Sequence, residues 1–211
     1  MLSGLSDWVV DVIDRLGYIG VALLVALENL FPPIPSEIIL PFAGFVASDG
    51  KATLWGMIAA ATIGSVVGAW TLYGIARWIG RDRLTRFLVR YGKWVRLTED
   101  DVARAERWFD KRAIIAVLVG RCVPLIRSVV SIPAGFRKMP FGIFTLYTLI
   151  GSLIWNTALV GVGYILRDNW EDVEPILDVV QYVVIAVIVA AIAWFVWSRL
   201  RRKEPATADD R

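Results

Sequence analysis

Three stretches of the chain run without a charged residue for long enough to cross a bilayer: Thr53 to Ala76, Pro140 to Leu166 and Val179 to Ser198. A helix needs roughly 20 apolar residues to span the hydrocarbon, so each is predicted to be a transmembrane helix. Two further apolar regions are interrupted. Leu16 to Leu27 gives twelve uncharged residues before Glu28, then Asn29-Leu30-Phe31-Pro32-Pro33-Ile34-Pro35-Ser36-Glu37, then eleven more to Ser48. Ala113 to Gly120 leads into Arg121-Cys122-Val123-Pro124-Leu125-Ile126-Arg127 and a second apolar piece through Phe136. Proline removes a backbone donor and clashes with the preceding turn, so Pro32, Pro33 and Pro35 break the first region and Pro124 the second. Apolar pieces of about 10 to 14 residues fit re-entrant or interfacial segments. The pattern predicts two re-entrant hairpins whose breaks face a shared polar cavity, because unsatisfied amides in lipid are expensive.

The predicted fold is an all-α polytopic membrane protein, one domain built on a repeat. Residues 1–16, with Trp8, Val9, Val12, Ile13 and Leu16 at helical spacing, form an amphipathic interfacial segment. Its acids Asp7, Asp11 and Asp14 do not fit the basic start of a cleavable signal peptide. Repeat 1 has its hairpin over 17–48 and its span over 53–80. A basic amphipathic segment covers 81–111. Repeat 2 has its hairpin over 112–137 and its span over 140–167, followed by a C-terminal span over 175–198 and a tail over 199–211. Pro33 through Gly44 lies without gaps against Pro124 through Gly135, and Gly64-Ser65, Leu72 and Gly74 match Gly151-Ser152, Leu159 and Gly161 at offsets of about ninety residues.

Charge sets the orientation. Arg81, Arg83, Arg86, Arg90, Lys93 and Arg96, and Arg199, Arg201, Arg202 and Lys203 in the tail, are expected in the cytoplasm, with the acidic loop 168–174 outside. The first hairpin then enters from outside and the second from inside. That inverted-topology repeat is typical of secondary transporters, whose substrate sites lie near the midplane where discontinuous helices meet.

Composition agrees: 57% hydrophobic and 20% charged residues, with a mean hydropathy of +0.59, exclude an ordinary soluble domain. The absence of histidine and the single cysteine, Cys122, exclude an intrachain disulfide, a His/Cys metal site and a histidine base, and no cofactor is expected. The net charge of +3 reads as a topology signal, not a nucleic-acid footprint. Leu84, Phe87, Leu88, Tyr91 and Trp94 face the bilayer in this reading, with the arginines toward anionic lipid. Gly64, Gly68, Gly151, Gly161 and Gly163 read as close-packing positions that also permit self-association, and Cys122 as a packing residue. Trp155, Trp194 and Trp197 are interface anchors or packing residues.

The candidate chemistry sits in the hairpin breaks. Glu28 and Glu37 flank the first proline cluster and Arg121 and Arg127 flank Pro124, so two acids and two bases are expected to converge near the membrane centre. Ionisable groups there are costly and functional by default, although buried structural ion pairs are the plainer alternative. Arginine offers an always charged fork suited to phosphate, and a helix N-terminus beyond Pro124 would add amide donors. A buried glutamate is a candidate proton carrier.

Leu27-Glu28-Asn29 with Pro-x-Pro-Ser-Glu through Ala43-Gly44, and Gly120-Arg121-Cys122-Val123-Pro124-Leu125-Ile126-Arg127 through Ala134-Gly135, resemble the paired signatures of the DedA family, also called the SNARE-associated or VTT-domain family. The resemblance covers about residues 15 to 170 and includes Phe141, Trp155, Gly161 and Tyr164. One departure is Ala69, where many relatives carry an acid. The resemblance implies a multi-pass protein of the bacterial inner membrane that moves lipids between leaflets, including members that recycle undecaprenyl phosphate. It carries over functional residues at Glu28, Glu37, Arg121 and Arg127. The expected function is therefore a flippase returning a polyprenyl-phosphate from the outer to the inner leaflet. Arg121 and Arg127 would hold the phosphate, and Glu28 and Glu37 would bind protons and pair with the arginines. A phospholipid scramblase, a proton-coupled ion or small-solute antiporter and a non-transporting membrane organiser are the alternatives; no enzyme motif is evident.

Overall fold

The computed structural model describes residues 2–30, 36–81, 83, 86, 99–124 and 126–166, with side chains at 8–30, 39–81, 83, 86, 103, 104, 106–124 and 126–166. Pro32, Pro33, Pro35, most of the 81–98 segment, the acidic loop, the C-terminal span and the tail lie outside these residues. Among the described residues every regular element is a helix: α1 Leu2–Leu30, α2 Ser36–Ser48, α3 Leu54–Ile79, α4 Glu99–Arg121, α5 Ile126–Val129, α6 Ser131–Phe136 and α7 Phe141–Ile165. Among the described residues, α3 and α7 are the helices long and apolar enough to cross a membrane.

The breaks fall where the residue chemistry changes. Gly17 takes φ 55, ψ −126, a conformation that costs a residue with a Cβ, and it divides α1 into an amphipathic piece and an apolar one. Arg112 leaves helical geometry at φ −136, ψ 26, between the charge-rich 99–111 stretch and the apolar 113–120 stretch of α4. Thr53 caps α3 by accepting the Gly56 amide at 3.2 Å, and the Tyr18 hydroxyl in turn accepts the Thr53 amide at 2.8 Å. The piece after Pro124 differs from the single apolar arm expected there. It is two short helices, α5 and α6, divided at Val130.

The interior is largely apolar, but it also holds a polar cluster, and the exterior is apolar too. Large apolar side chains point outward, among them Trp55, Ile63, Trp78, Leu146, Ile154 and Ile165. Arg121, Arg127, Glu28, Asn29, Ser131, Thr148 and Asn156 are buried. A lipid solvent requires this arrangement, because it hydrates no polar group.

The two halves grip each other reciprocally through glycine. A Cβ on Gly44 of α2 would collide with the carbonyl of Val160 and the amide of Tyr164 in α7. A Cβ on Gly135 of α6 would collide with the carbonyl of Tyr73 and the amide of Arg77 in α3. Val160 follows Tyr73, and Tyr164 follows Arg77, by 87 positions, the separation of Gly64 and Gly151. Each half therefore lays its short arm on the long helix of the other. α3 and α7 also pack together, with Tyr73 stacked on Phe144 at 4.7 Å and Trp70 donating to Thr145 at 2.9 Å.

Candidate functional site

The end of α1 and the start of the α4–α6 turn meet in the interior. Arg127 of α5 pairs with Glu28 of α1, both almost fully buried. Arg121 and Arg127 are six residues apart, and the turn at Cys122–Pro124 interrupts the helix between them. Arg121, at 2% exposure the largest fully buried side chain among the described residues, donates through Nη1 to Asn29 Oδ1 at 3.1 Å and through Nη2 to Ser131 Oγ at 2.6 Å. Its Nε has no acceptor among the described residues. Gly151 makes room for this arginine: a Cβ there would lie 2.7 Å from Arg121 Cβ and 2.9 Å from the Leu118 carbonyl.

Of the four charged residues anticipated at one place, the structure brings Glu28, Arg121 and Arg127 together. Glu37 falls in the first turn of α2, and its side chain lies outside the described residues. Two of the amides expected as donors beyond Pro124 are already engaged. Helix α5 is only four residues long, and the amides of Ile126 and Arg127 already donate to the carbonyls of Pro124 and Val123 at 2.7 and 3.1 Å. They are satisfied within the turn.

Asn29 and Ser131 were not singled out as site residues. Asn29 carried two signals, its place beside a buried acid and in the Leu27-Glu28-Asn29 signature, and Ser131 carried none of its own, since a serine in an apolar arm reads as neutral filler. The described side chains of the site carry two cations and one anion. An arginine held only by neutral dipoles in a dry interior retains most of its desolvation cost unless an anion joins it. The arrangement is thus suited to an anionic group with several acceptor oxygens.

A second polar layer lies between α3 and α7. Asn156, fully buried, donates to Thr62 Oγ1 at 3.2 Å and Ser65 Oγ at 3.3 Å, while its Oδ1 has no partner among the described residues. Cys122 Sγ lies 3.7 and 3.8 Å from the carbonyls of Leu118 and Gly151, contacts fitting the packing role expected of it. No three His, Cys, Asp or Glu among the described residues could jointly hold a metal ion.

At the end of α3 an ion-pair network ties the halves together. Arg81 grips Glu106 of α4 through Nε and Nη2 at 2.8 to 2.9 Å, and Arg137, just beyond α6, pairs with Asp110 and reaches Glu106 at 3.8 Å. The hydrogen bond from Arg137 to Asp110 holds that guanidinium above its ordinary range. Tyr73 donates to the Met139 carbonyl at 2.6 Å and accepts from Arg77 at 2.9 Å.

The VTT domain profile matches residues 34–165, well over half of the chain. The chain belongs to this family, the DedA family. Within it, this DedA protein is 45% identical over 185 residues to "Alkaline phosphatase-like protein" of Lactococcus lactis subsp. cremoris (strain MG1363), covering 87% of this chain and 86% of that one. It is 37% identical over 187 residues to "Undecaprenyl phosphate transporter A" of Staphylococcus aureus (strain NCTC 8325 / PS 47), covering 89% of this chain and 92% of that one. The protein of the same name from Bacillus subtilis (strain 168) is 31% identical over 201 residues, covering 94% and 96%. No solved structure matches the chain. Family membership and the outward apolar surface together make this DedA protein a membrane protein.

Proposed function

We propose that this protein transports a polyprenyl-phosphate, undecaprenyl phosphate being the specific candidate, from the outer to the inner leaflet. The observation that carries the reading is the Arg121 guanidinium, buried on neutral partners with an unused Nε donor beside the Glu28–Arg127 pair. Arg121 and Arg127 bind the phosphate; Glu28 is the counter-ion Arg127 leaves and regains, and Glu37 a second proton carrier. Returning a phosphate toward a negative interior costs about 2.3 kcal/mol per charge per 100 mV, and a co-transported proton offsets one such charge. The names of the Staphylococcus and Bacillus relatives support the substrate class.

The two breaks act as re-entrant hairpins of an inverted repeat, with residues 81–111 and the C-terminus in the cytoplasm. The reciprocal seating of α2 on α7 and α6 on α3 supports this reading, since two arms exchanged at equivalent positions is what a two-fold relation produces. Rocking of the halves about these glycine contacts would alternate access.

The name of the Lactococcus relative raises a phosphatase as the second reading. A hydrolase needs an activated nucleophile or metal-bound water, and the buried cluster offers cations and one paired carboxylate. The deciding experiment is binding and vesicle transport of a short-chain polyprenyl-phosphate, against the neutral alcohol, by the wild type and by Arg121→Lys and Arg127→Lys. These variants keep the charge and lose the planar fork. Phosphate-dependent binding and transport, each reduced about tenfold or more in both variants, support the assignment. Equal binding of alcohol and phosphate, or full transport by either variant, overturns it; release of inorganic phosphate would move the reading to hydrolysis.

A further inference from the structure

A cavity that the Arg121 site does not use lies elsewhere in the described part of the molecule. It has a volume of about 640 Å³ and lies where the end of α3 meets the chain just beyond α6. Arg81, Arg83, Arg86 and Lys138 line it together with Trp78 and Phe136, and among the described residues no acid does. Arg81 is partly neutralised by Glu106. Arg83 and Lys138 meet no acid among the described residues.

Lys138 is the left-handed residue, at φ 56, that ends α6. Its own amide bonds to the Gly135 carbonyl at 2.9 Å, the Met139 amide bonds to the Ala134 carbonyl at 3.0 Å, and the Tyr73 hydroxyl donates to the Met139 carbonyl. This helix-ending pair of bonds fixes where Lys138 stands beside the cavity. The feature that points to a ligand is the mixed wall. Four cations would suit any anion, but Trp78 is 82% exposed on the outward apolar face, so the cavity opens beside the surface that lipid covers. A headgroup whose tail stays in the bilayer matches cations on one side and an aromatic on the other.

One short helix, α6, touches both the central site and the cavity. Ser131, at the start of α6, holds Arg121; Phe136, at its end, lines the cavity. Five residues of helix separate them, about 8 Å along the axis.

We propose that this cavity is a second binding site for an anionic phosphate headgroup of a lipid, the station next to the central arginines. Its role in passage rests on the transport reading above; its existence as a phosphate site does not. Arg83 and Lys138 supply the uncompensated charge, Arg81 and Arg86 widen the positive field, and Trp78 and Phe136 face the first part of the tail.

The test is the stoichiometry and affinity of a fluorescent short-chain polyprenyl-phosphate on the full-length protein in nanodiscs of uncharged lipid. The arms are wild type, Arg83→Gln/Lys138→Gln and Arg121→Lys, each also with inorganic phosphate as competitor. Wild type is expected to bind two per chain. The Arg83→Gln/Lys138→Gln variant, altered only at exposed side chains and so expected to melt with wild type, should weaken one of them about tenfold or more, and Arg121→Lys should weaken the other. Two undiminished sites in Arg83→Gln/Lys138→Gln overturn the cavity assignment whatever Arg121→Lys does. Two undiminished sites in Arg121→Lys overturn the central assignment and leave the cavity standing. Displacement of the cavity-bound lipid by equimolar inorganic phosphate overturns the lipid source in favour of a soluble phosphate.

Discussion

Arg127 and Glu28, 99 residues apart in sequence, form a buried ion pair that joins the second break of the chain to the end of α1. Removing one member strands the other charge away from water. Glu28→Ala and Arg127→Ala should therefore each cost about 3–5 kcal/mol. The double replacement Glu28→Met/Arg127→Leu should cost less than either single change. A double-mutant cycle on thermal unfolding in detergent reads the coupling, and transport is expected to be absent in all three. A stable, transporting double variant would reduce the pair to a structural tie.

The glycine contacts make a second, sharper prediction. Gly135→Ala and Gly163→Ala would drive a methyl into the backbone carbonyls of Tyr73 and Pro41, so each should destabilise by about 1–3 kcal/mol. Gly74→Ala and Gly142→Ala meet no atom within 4 Å and should melt at or slightly above wild type. Equal melting temperatures for both sets would mean that the helices do not approach this closely.

Asn156 gives a prediction of opposite sign to intuition. It makes two long bonds, to Thr62 and Ser65, and its Oδ1 has no acceptor role among the described residues. Interhelical hydrogen bonds in membranes average well under the value of a full bond in vacuum, about 0.6 kcal/mol. Replacing the whole amide by Leu removes those two bonds together with one orphaned oxygen, so Asn156→Leu should stay within about 1 kcal/mol of wild type by chemical unfolding. A loss beyond about 2 kcal/mol would mean that the oxygen is engaged.

Much of this was legible in the chain. The two long helices were visible as uncharged runs, because lipid tolerates no unpaired charge, and the breaks at Gly17, Arg112 and Pro124 coincide with changes in local chemistry. Arg121, Arg127 and Glu28 were legible as charges that had no business in apolar surroundings. Their partners were not. Asn29 and Ser131 act only because folding brings them to Arg121, a relation across 92 and 10 positions that spacing does not encode. The division of the second arm at Val130 was equally hidden, as every residue from Ile126 to Phe136 except Arg127 and the two serines reads as one apolar piece. Lys138 offered a sequence reader one more lysine; only its backbone conformation sets it apart.

The seating of α2 on α7 has a consequence for synthesis. Gly44 leaves the ribosome 116 residues before Val160, the carbonyl it packs against. At about 5–20 residues per second, the first arm waits on the order of ten seconds for its partner. During that interval its packing face must be sheltered by the insertion machinery or by the nascent first span; the grip of α6 on α3 can close once Gly135 has emerged, 25 residues before Val160, and the grip of α2 on α7 closes last.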